Sequence, residues 1–473
     1  MRVAAIDQGT TSTRALVIDA HGNWQIAASL RHAQHHPQPG WVEHDAEEMI
    51  RNIRACLKAT GDVDAIGLAN QGESCLAWHA ETKAPLSPVI VWQDARTQGT
   101  LSVRPAADAQ RSKAICGLPL DPYFSASKLA WLRQNLATVR AAEAKGTLRL
   151  GTTDAFFLDR LAGVFATDCA TASRTGLMNL ATQEWSAELC ALHGVPIECL
   201  PPIRAVDAGF GTIGGVPVRA SIVDQQAALY GHNARLPGDC KITFGTGAFL
   251  LALTGTERPM VEGLLPTLAW KRQGQPALFA VEGGVYDAGS ALEWARRIGL
   301  FSTLDELGTF HGPSAISRGL VFVPALSGLA APHWDRLAAP LFIGMDHTTD
   351  RRDMVRAVLE GIALLTVDLI EEASGTVSLG ATISIDGGVS QSAYFAQFLA
   401  SAAGRAISVA PMHELTALGL AELCGQDISG VRMGGQTFMP DASVSDADHR
   451  TFAMALARTR EWRRCPPENS EPG

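Results

Sequence analysis

Short apolar segments separated by glycine turns mark the first thirty residues of the chain. Apolar side chains predominate in Val3–Ile6, Arg14–Ile18 and Trp24–Ser29, and the segments between them contain Gly9 and Gly22. Apolar runs of this length, bounded by turn-forming residues, are typical of β-strands. The chain is therefore expected to open as an antiparallel meander.

The same pattern returns half a chain later. Lys241–Phe244 and Ala248–Thr254 predict two strands around another glycine turn, so that IDQGTTSTRALVID aligns with ITFGTGAFLLALTG, with Gly9 over Gly245. A repeat at this distance indicates two similar domains rather than a solenoid of short units. We place their boundary near residue 234, which gives an N-terminal lobe of residues 1–234 and a C-terminal lobe of residues 235–473.

Strands alternate with helices between and after the two hairpins. Longer periodic segments predict helices over Asp224–Gly231, Gly289–Arg297 and Arg351–Glu372, and Thr382–Ile385 predicts a strand. Such alternation is typical of mixed sheets flanked by helices. Further helices are expected over Ser127–Asn135, from about Ser392 to Ala403, and over Arg450–Arg464, ahead of a frayed tail.

Composition narrows the class of protein. Of the 473 residues, 47% are hydrophobic and 18% are charged, a balance that favours large buried cores over disorder. The formal net charge of −9 argues against a nucleic-acid partner, because a phosphate backbone attracts a basic surface. Nine scattered cysteines without a Cys-x-x-Cys pair are typical of reduced thiols. With no secretory signal and no membrane span predicted, we expect a cytoplasmic protein.

The first hairpin turn, Asp7-Gln8-Gly9-Thr10-Thr11-Ser12-Thr13, is a candidate anion site. A glycine turn lets backbone N–H groups approach a phosphate, and the neighbouring hydroxyls add donors. Asp7 would hold Mg²⁺ through water, since Mg²⁺ combines one or two carboxylates with waters and phosphates. Alone, such a turn is more often an ordinary hairpin. A second copy at Gly245-Thr246-Gly247 favours two turns that face a nucleoside triphosphate across a cleft.

Asp224 follows the apolar strand Ala220–Val223 and begins the helical segment DQQAALYGH. An aspartate in this position commonly caps the helix, which contributes about 1 kcal/mol. Alternatively, the helix dipole would keep the carboxylate ionised, ready to accept the proton of an attacking hydroxyl. The residues alone leave both interpretations open.

Asp386-Gly387-Gly388 lies between a predicted strand and a predicted helix. Paired glycines at this point would let a flat ligand such as adenine lie against the backbone. An ordinary strand-to-helix turn explains the same residues, and it is the commoner case.

Three other patterns do not carry a function. Gly209–Gly214 matches G-x-G-x-x-G but follows a proline-rich loop and opens no helix, so a dinucleotide site is not expected. No lysine precedes Ser or Thr, which excludes a Walker A loop. Four histidines around Gly40 lack metal-ligand spacing and are expected at the surface: His32, His35, His36 and His44.

Segments along almost the whole chain resemble the FGGY carbohydrate kinases, and most of all the members that phosphorylate glycerol. The segments are IDQGTTSTRALVID, PQPGWVEHDAEE, VIVWQDART, GLPLDPYFSASKLAWL, ATDCATASRTGLMNL, DQQAAL, TFGTGAFLL, VPALSGLAAPHW, VRAVLEGIA, DGG and TALG. The resemblance implies an α/β fold of two actin-like (ribonuclease H-like) lobes, with ATP and Mg²⁺ in the cleft between them. It also implies γ-phosphoryl transfer to a terminal hydroxyl of a small polyol or sugar, with glycerol expected first.

The resemblance assigns roles position by position. Asp224 is the implied catalytic base, and Gln225 its neighbour in contact with the acceptor. The implied acceptor pocket also contains Gly72, Glu73, Trp92 and Tyr123. The residues implied to bind ATP and its phosphates are Thr10, Thr11, Ser12, Arg14, Thr246, Gly247, Gly387, Gly388 and Ser392, with Asp7 for Mg²⁺.

Two departures from the family pattern bear on substrate. Gly72 stands where the family has an arginine that clamps substrate hydroxyls, and Ser392 stands where it has an asparagine near adenosine. The missing donors would cost about 1–3 kcal/mol, or the vacated volume would admit a longer polyol or a ketose. A third alternative is an ATP-binding protein of the same superfold without acceptor chemistry. Assembly as a homodimer or a homotetramer is also left open.

Overall fold

The computed structural model describes residues 1–412, 414–428 and 435–463. Its strands are β1 (Val3–Gln8), β2 (Ser12–Ile18), β3 (Trp24–Arg31), β4 (Glu43–His44), β5 (Ala65–Asn70), β6 (Cys75–His79), β7 (Val89–Ile90), β8 (Leu148–Thr152), β9 (Thr167–Asp168), β10 (Met178–Asn179), β11 (Glu184–Trp185), β12 (Ile203–Arg204), β13 (Thr212–Ile213), β14 (Val216–Val223), β15 (Cys240–Phe244), β16 (Ala248–Gly255), β17 (Leu265–Trp270), β18 (Leu278–Val285), β19 (Val321–Val323), β20 (Leu341–Ile343), β21 (Thr382–Gly387), β22 (Ala406–Val409) and β23 (Gln436–Phe438). Its α-helices are α1 (Ala46–Ala59), α2 (Gln98–Ser102), α3 (Ala106–Cys116), α4 (Ser125–Asn135), α5 (Ala137–Ala144), α6 (Thr153–Phe157), α7 (Cys169–Ser173), α8 (Ala187–His193), α9 (Asp224–Gly231), α10 (Gly289–Arg297), α11 (Arg351–Thr376), α12 (Ala393–Ala403), α13 (Leu415–Leu423) and α14 (Asp446–Ala457).

Two large mixed sheets organise the chain, and each contains one copy of the repeated hairpin. The first has the order β13-β14-β5-β1-β2-β3, and the second has the order β17-β18-β16-β15-β21-β22-β23. β1 is antiparallel to β2 and parallel to β5, just as β15 is antiparallel to β16 and parallel to β21. The internal repeat predicted from the two glycine hairpins is therefore a repeat of sheet topology. A smaller sheet, β4-β7-β6-β8, extends the first half beside the cleft.

Helices cover the sheets through apolar faces that the sequence spaces at helical intervals. In α1, Met49, Ile50 and Ile53 are buried, and the side chain of Asp45 caps the helix by accepting from the Glu47 amide. In α11, Asp350 and Asp353 form a capping box, and most of the 26 residues face the core of the second half. Each fully buried aliphatic side chain contributes about 1.5–3 kcal/mol, so these faces fix the helices in place.

Helices α9 and α13 cross between the two sheets at close range. A Cβ atom on Gly231 would lie 2.1 Å from the Leu415 carbonyl oxygen, and one on Gly419 would lie 2.0 Å from the Ala227 carbonyl oxygen. Only glycine permits this approach of two backbones. Although α13 comes late in the sequence, it packs against β1, β5 and β14 of the first sheet. The two halves of the chain are therefore interleaved at this crossing.

Several element boundaries differ from the expectations. The helix expected from Ser127 begins at Ser125, and α11 continues four residues beyond Glu372. The last helix begins at Asp446, four residues before the expected Arg450, because Ser445 caps it in a capping box with Asp448, and it ends at Ala457. Arg464 and the tail expected to fray lie outside the described residues.

Two of the four clustered histidines are buried, which corrects their expected surface position. His32 and His44 pack edge to face with ring centroids 4.6 Å apart, and their rings form hydrogen bonds with the backbone carbonyls of Thr10 and Ala33, respectively. Burial lowers the pKa of His44 to about 4, so its ring is neutral at pH 7. In the part of the chain that the structure describes, no group of three or more His, Cys, Asp or Glu side chains could hold a metal ion.

Two further expectations concern cysteines and membranes. The eight cysteines within the described residues are all buried and unpaired, as predicted for reduced thiols. Among the same residues, none of the helices has the length and apolar character needed to cross a bilayer.

Candidate active site

A cavity of about 470 Å³ lies between the two large sheets and collects most of the predicted site residues. Both halves supply acidic and aromatic side chains, and the second half also supplies its glycine hairpin. The predicted residues that line it are Thr10, Gly72, Glu73, Trp92, Tyr123, Asp224, Gln225, Thr246 and Gly247.

Asp224 enters this cavity because β14 ends there and α9 begins. The N-cap of α9 is Val223, whose backbone is extended, and Asp224 is the first helical residue. The expected N-cap role is therefore wrong by one position, since the helical backbone at Asp224 turns its side chain off the capping site. Its Oδ1 instead accepts from the neighbouring Gln225 amide at 2.7 Å. Burial and the carboxylates of Asp7 and Glu73 raise the pKa of Asp224 to about 8.

Asp7 lies on β1, opposite Arg14 in the hairpin register. Burial and the Glu414 carboxylate raise the pKa of Asp7 to about 6, while Arg14 acts in the opposite direction. The pKa values of Asp7 and Asp224 are both raised in spite of the nearby cations Arg14 and Lys241, so the site has an excess of negative charge that suits Mg²⁺. Asp7 and Asp224 therefore fit a Mg²⁺ site in which one or two carboxylates are completed by water and phosphate oxygens.

The first hairpin presents Thr10 to the cavity. The Gly9 amide donates to the Ser12 carbonyl at 3.0 Å, which closes the turn, and Trp92 Nε1 donates to Thr10 Oγ1 at 2.9 Å. Thr11 is exposed at the tip. The Arg14 guanidinium is paired with Glu414 at the start of α13. Arg14 thus ties the hairpin to the crossing helix.

The second hairpin is held against the start of α10. The Gly289 amide donates to the Gly245 carbonyl at 3.0 Å, and the Ser290 amide donates to the Thr246 carbonyl at 3.0 Å. A Cβ atom on Gly247 would lie 2.5 Å from the Val285 carbonyl oxygen, so a side chain has no room there. The turn is therefore fixed beside a helix N-terminus, an arrangement that favours anions.

An ion-paired triad lies at the other end of the cavity. Arg174 Nε donates to Glu73 Oε1 at 2.7 Å, and Arg174 Nη2 donates to Glu282 Oε1 at 2.9 Å, with all three side chains nearly inaccessible. Trp92 and Tyr123 stand edge to face nearby, with ring centroids 5.6 Å apart. One wall of the cavity is thus acidic and aromatic, which suits a small polyhydroxylated ligand.

Comparison with known proteins identifies the family. The family description for the FGGY family of carbohydrate kinases matches this chain twice, with its N-terminal domain over residues 2–231 and its C-terminal domain over residues 240–426. The chain is 38% identical to the glycerol kinase of Thermus brockianus, over 97% of this chain and 98% of that protein. It is 39% identical to the glycerol kinase of Haloferax volcanii, over 98% of each. The chain belongs to the FGGY family of carbohydrate kinases.

Solved structures agree on the fold. The crystal structure of Plasmodium falciparum glycerol kinase with ADP superposes with a TM-score of 0.87 at 28% identity, covering 97% of this chain and 98% of that one. Ligand-bound xylulose kinase from Lactobacillus acidophilus shares the fold with a TM-score of 0.82 at 22% identity, covering 97% and 96%. The two-lobed actin-like fold and an ATP-dependent carbohydrate kinase are thereby confirmed.

The residues expected at adenosine, Gly387, Gly388 and Ser392, do not line the 470 Å³ cavity. Gly387 has a φ of 95°, and a Cβ atom there would lie 2.2 Å from the Phe244 carbonyl oxygen, so glycine is required. A Cβ atom on Gly388 would have no neighbour within 4 Å, which leaves its backbone open to a flat ligand. The Ser392 hydroxyl accepts from the Phe395 amide at 3.1 Å and donates to the Leu307 carbonyl at 2.7 Å. The Ser392 hydroxyl is therefore already used in capping the N-terminus of α12.

Gly72 lines the cavity but leaves no room for a side chain of its own. A Cβ atom on Gly72 would lie 2.8 Å from Val223 Cγ2, a distance that forces one of the two groups to move. The valine methyl thus fills the place where an arginine side chain would leave the backbone. Gly72, where the resemblance implies an arginine, therefore packs closely against Val223.

Sequence reasoning assigned no role to several charged residues of the site, among them Arg174, Lys241 and Glu282. Arg174 lies in ATDCATASRTGLMNL, which carried family resemblance but no assigned role. Lys241 Nζ donates to Gln225 Oε1 at 2.6 Å and is fully buried. A charged residue within an apolar strand pattern was the available signal for Lys241 and Glu282, because such residues are buried only when paired.

Proposed function

We propose that this chain transfers the γ-phosphoryl group of Mg-ATP to a terminal hydroxyl of glycerol, giving glycerol 3-phosphate. The observation that carries the proposal is the convergence of Asp224, Glu73 and Tyr123 on one cavity with both glycine hairpins. Full-length relatives named glycerol kinases, at 38% and 39% identity, support glycerol as the acceptor.

In the proposed mechanism, Asp224 accepts the proton of the attacking hydroxyl. Glu73 and Gln225 orient the acceptor, and Trp92 and Tyr123 pack against its carbon chain. Backbone N–H groups of the two hairpins, with the hydroxyls of Thr10, Thr11, Ser12 and Thr246, hold the phosphates. Arg14 acts through its pair with Glu414 and helps to shape the first hairpin. The open backbone at Gly387 and Gly388 accommodates adenosine.

Asp7 is the residue proposed to bind Mg²⁺. When bound, the cation neutralises charge on the phosphates. The role of the chain is to supply Asp7 as a carboxylate for water-mediated binding. The raised pKa of Asp7 is consistent with that role, since a nearby cation would favour its ionised form.

A larger acceptor is less well supported. That alternative rests on the absence of a side chain at Gly72, whereas the glycerol kinases resemble this chain over nearly its full length. The unpaired cysteines of the described part also support a reducing compartment, and we propose the cytoplasm as the location.

Coupled ADP release tests the function directly. The purified protein is assayed with Mg-ATP and a panel of glycerol, erythritol, pentitols and ketopentoses. We expect glycerol to give the highest kcat/KM. Preference for a five-carbon acceptor would overturn glycerol but keep the kinase, and ATP binding without stimulation by any acceptor would overturn both.

A further inference from the structure

Lys241 connects the two halves of the site from a fully buried position. It lies on β15, just before the second hairpin, and its Nζ donates to Gln225 Oε1 at 2.6 Å and to Thr243 Oγ1 at 2.9 Å. Gln225 is the second residue of α9 and lines the cavity beside Asp224. A single side chain of the second half thus holds an amide of the first half at the point where the acceptor is expected.

The chemistry of lysine fixes which way this amide faces. An ammonium group only donates, so the Gln225 amide must turn its oxygen towards Lys241. The NH₂ end of the same amide is then the end left for the cavity. Gln225 is thereby presented to a ligand as a donor, and an acceptor hydroxyl oxygen is a matching partner.

Three carboxyl groups act electrostatically on Lys241 in its buried position. Burial lowers its pKa, and the carboxylates of Asp386, Asp224 and Glu282 oppose that shift. Asp386 is itself approached by His232 Nε2 at 3.6 Å, and it stands beside Thr243 in the parallel register of β15 and β21. A buried ammonium surrounded by carboxylates on three different elements is retained at a cost in desolvation, so a specific role is expected.

We propose that Lys241 is a positioning residue for the acceptor, which acts by locking the Gln225 amide with its NH₂ group towards the acceptor hydroxyls. This inference rests on the proposed function, because it takes Gln225 to touch the acceptor. It assigns to the β15 strand, whose hairpin is expected to hold phosphate, a second task in acceptor recognition.

A double-mutant cycle tests the coupling. The variants are Lys241→Met, Gln225→Ala and the two combined, and the readouts are KM for glycerol, KM for ATP and kcat. We expect either single change to raise KM for glycerol about ten-fold, the effect of one lost hydrogen bond. We expect KM for ATP to stay within two-fold, and Lys241→Met to have no further effect on KM for glycerol once Gln225 is alanine.

Lys128→Met is the matched control. Lys128 is also fully buried, and its Nζ donates to the carbonyls of Tyr123 and Val91 within the first half. Both lysine variants should lose comparable thermal stability. Any effect of Lys128→Met on KM for glycerol should be the same with Gln225 present or absent.

The outcomes separate the inference from the function on which it rests. Equal effects of Lys241→Met in both backgrounds would overturn the inference while leaving the kinase intact. A wild-type enzyme that does not use glycerol would overturn the proposed substrate, and the cycle is then run with the acceptor that the panel selects. An unchanged KM in Gln225→Ala would show that Gln225 does not touch the acceptor, and so would remove the inference.

A second variant keeps the test valid if Lys241→Met does not fold. Gln225→Glu retains a partner for Lys241, as an ion pair, but has no NH₂ group. We expect this variant to keep wild-type thermal stability and still to raise KM for glycerol about ten-fold. A wild-type KM in Gln225→Glu would contradict the proposed donor.

Discussion

Asp7 at the end of β1 and Asp224 at the start of α9 are half-buried carboxyl groups, and Asp7 is one of the groups that raise the pKa of Asp224. Of the two, Asp224 has the higher pKa, about 8 against about 6, because burial is reinforced at Asp224 by the carboxylates of Asp7 and Glu73. A base with a pKa near the working pH combines a useful ionised fraction with a strong affinity for the proton. Burial of this carboxylate is therefore part of its proposed role.

Replacement of Asp224 tests that role. We expect Asp224→Asn to lower kcat by about 10²–10⁴-fold, because the amide cannot accept the proton of the hydroxyl. The dissociation constant of Mg-ATP, measured by calorimetry, should change little, since the hairpins and Gly388 are untouched. Retention of more than a tenth of the wild-type kcat would rule out Asp224 as the base.

The pH dependence follows from the same carboxyl group. Only the ionised form accepts a proton, so kcat/KM for the acceptor should rise with pH until it levels off near pH 8. Below that pH the increase should approach ten-fold per unit. A profile that is flat from pH 6.5 to 9 would contradict this expectation, and the residual activity of Asp224→Asn provides the pH-independent reference.

At the scale of elements, the crossing of α9 and α13 sets the position of Asp224 relative to the second half. The two helices meet backbone to backbone at Gly231 and Gly419, and any added atom must separate them. Because Asp224 starts α9, a shift of this helix would also move the base. Packing at the crossing and geometry at the site are therefore linked.

A pair of glycine substitutions measures this link. Gly419→Ala places a Cβ atom 2.0 Å from a carbonyl oxygen, and we expect a loss of about 1–3 kcal/mol or more, seen as a lower Tm, with reduced kcat. Gly375→Ala, in α11, meets no atom within 4 Å and should stabilise by about 0.5–1 kcal/mol, because alanine is the better helix former. Equal Tm values for the two variants would contradict the close crossing.

At the scale of the whole molecule, the Glu73–Arg174–Glu282 triad joins the halves with a net charge of −1. Two carboxylates share one guanidinium in a nearly inaccessible site. Burial, together with Glu282, raises the pKa of Glu73, and Arg174 opposes that shift. Removal of the Arg174 guanidinium should therefore affect stability differently from removal of the Glu282 carboxylate.

The triad predicts an order of stabilities. Arg174→Gln leaves two like charges buried together and should cost about 3–5 kcal/mol, the usual penalty for an uncompensated buried charge. Glu282→Gln leaves a neutral Glu73–Arg174 pair and should cost less than half as much. Urea denaturation of the two variants checks the order, and a larger loss in Glu282→Gln would show that the second carboxylate, not the guanidinium, dominates.

Local patterns predicted much of this molecule because strands and helices follow from neighbouring residues. Both hairpins and the bounds of α9 and α10 were predicted from apolar spacing and glycine turns, and the family resemblance supplied most of the cavity residues. The domain boundary near residue 234 stays a prediction. The triad was not foreseen, since Arg174 meets partners 101 and 108 positions away. Contacts between elements of the two halves, such as Lys241 of β15 with Gln225 of α9, leave no local periodicity.

The place of α13 has a consequence for biosynthesis. This helix, Leu415–Leu423, covers strands of the first sheet that were completed by Val223, about 190 residues earlier. At translation rates of 5–20 residues per second, roughly 10–40 s pass between the synthesis of that sheet and the synthesis of the helix that covers its apolar face. The nascent first half is therefore a natural client for chaperones, and it would emerge as an incomplete domain if synthesis stopped between the halves.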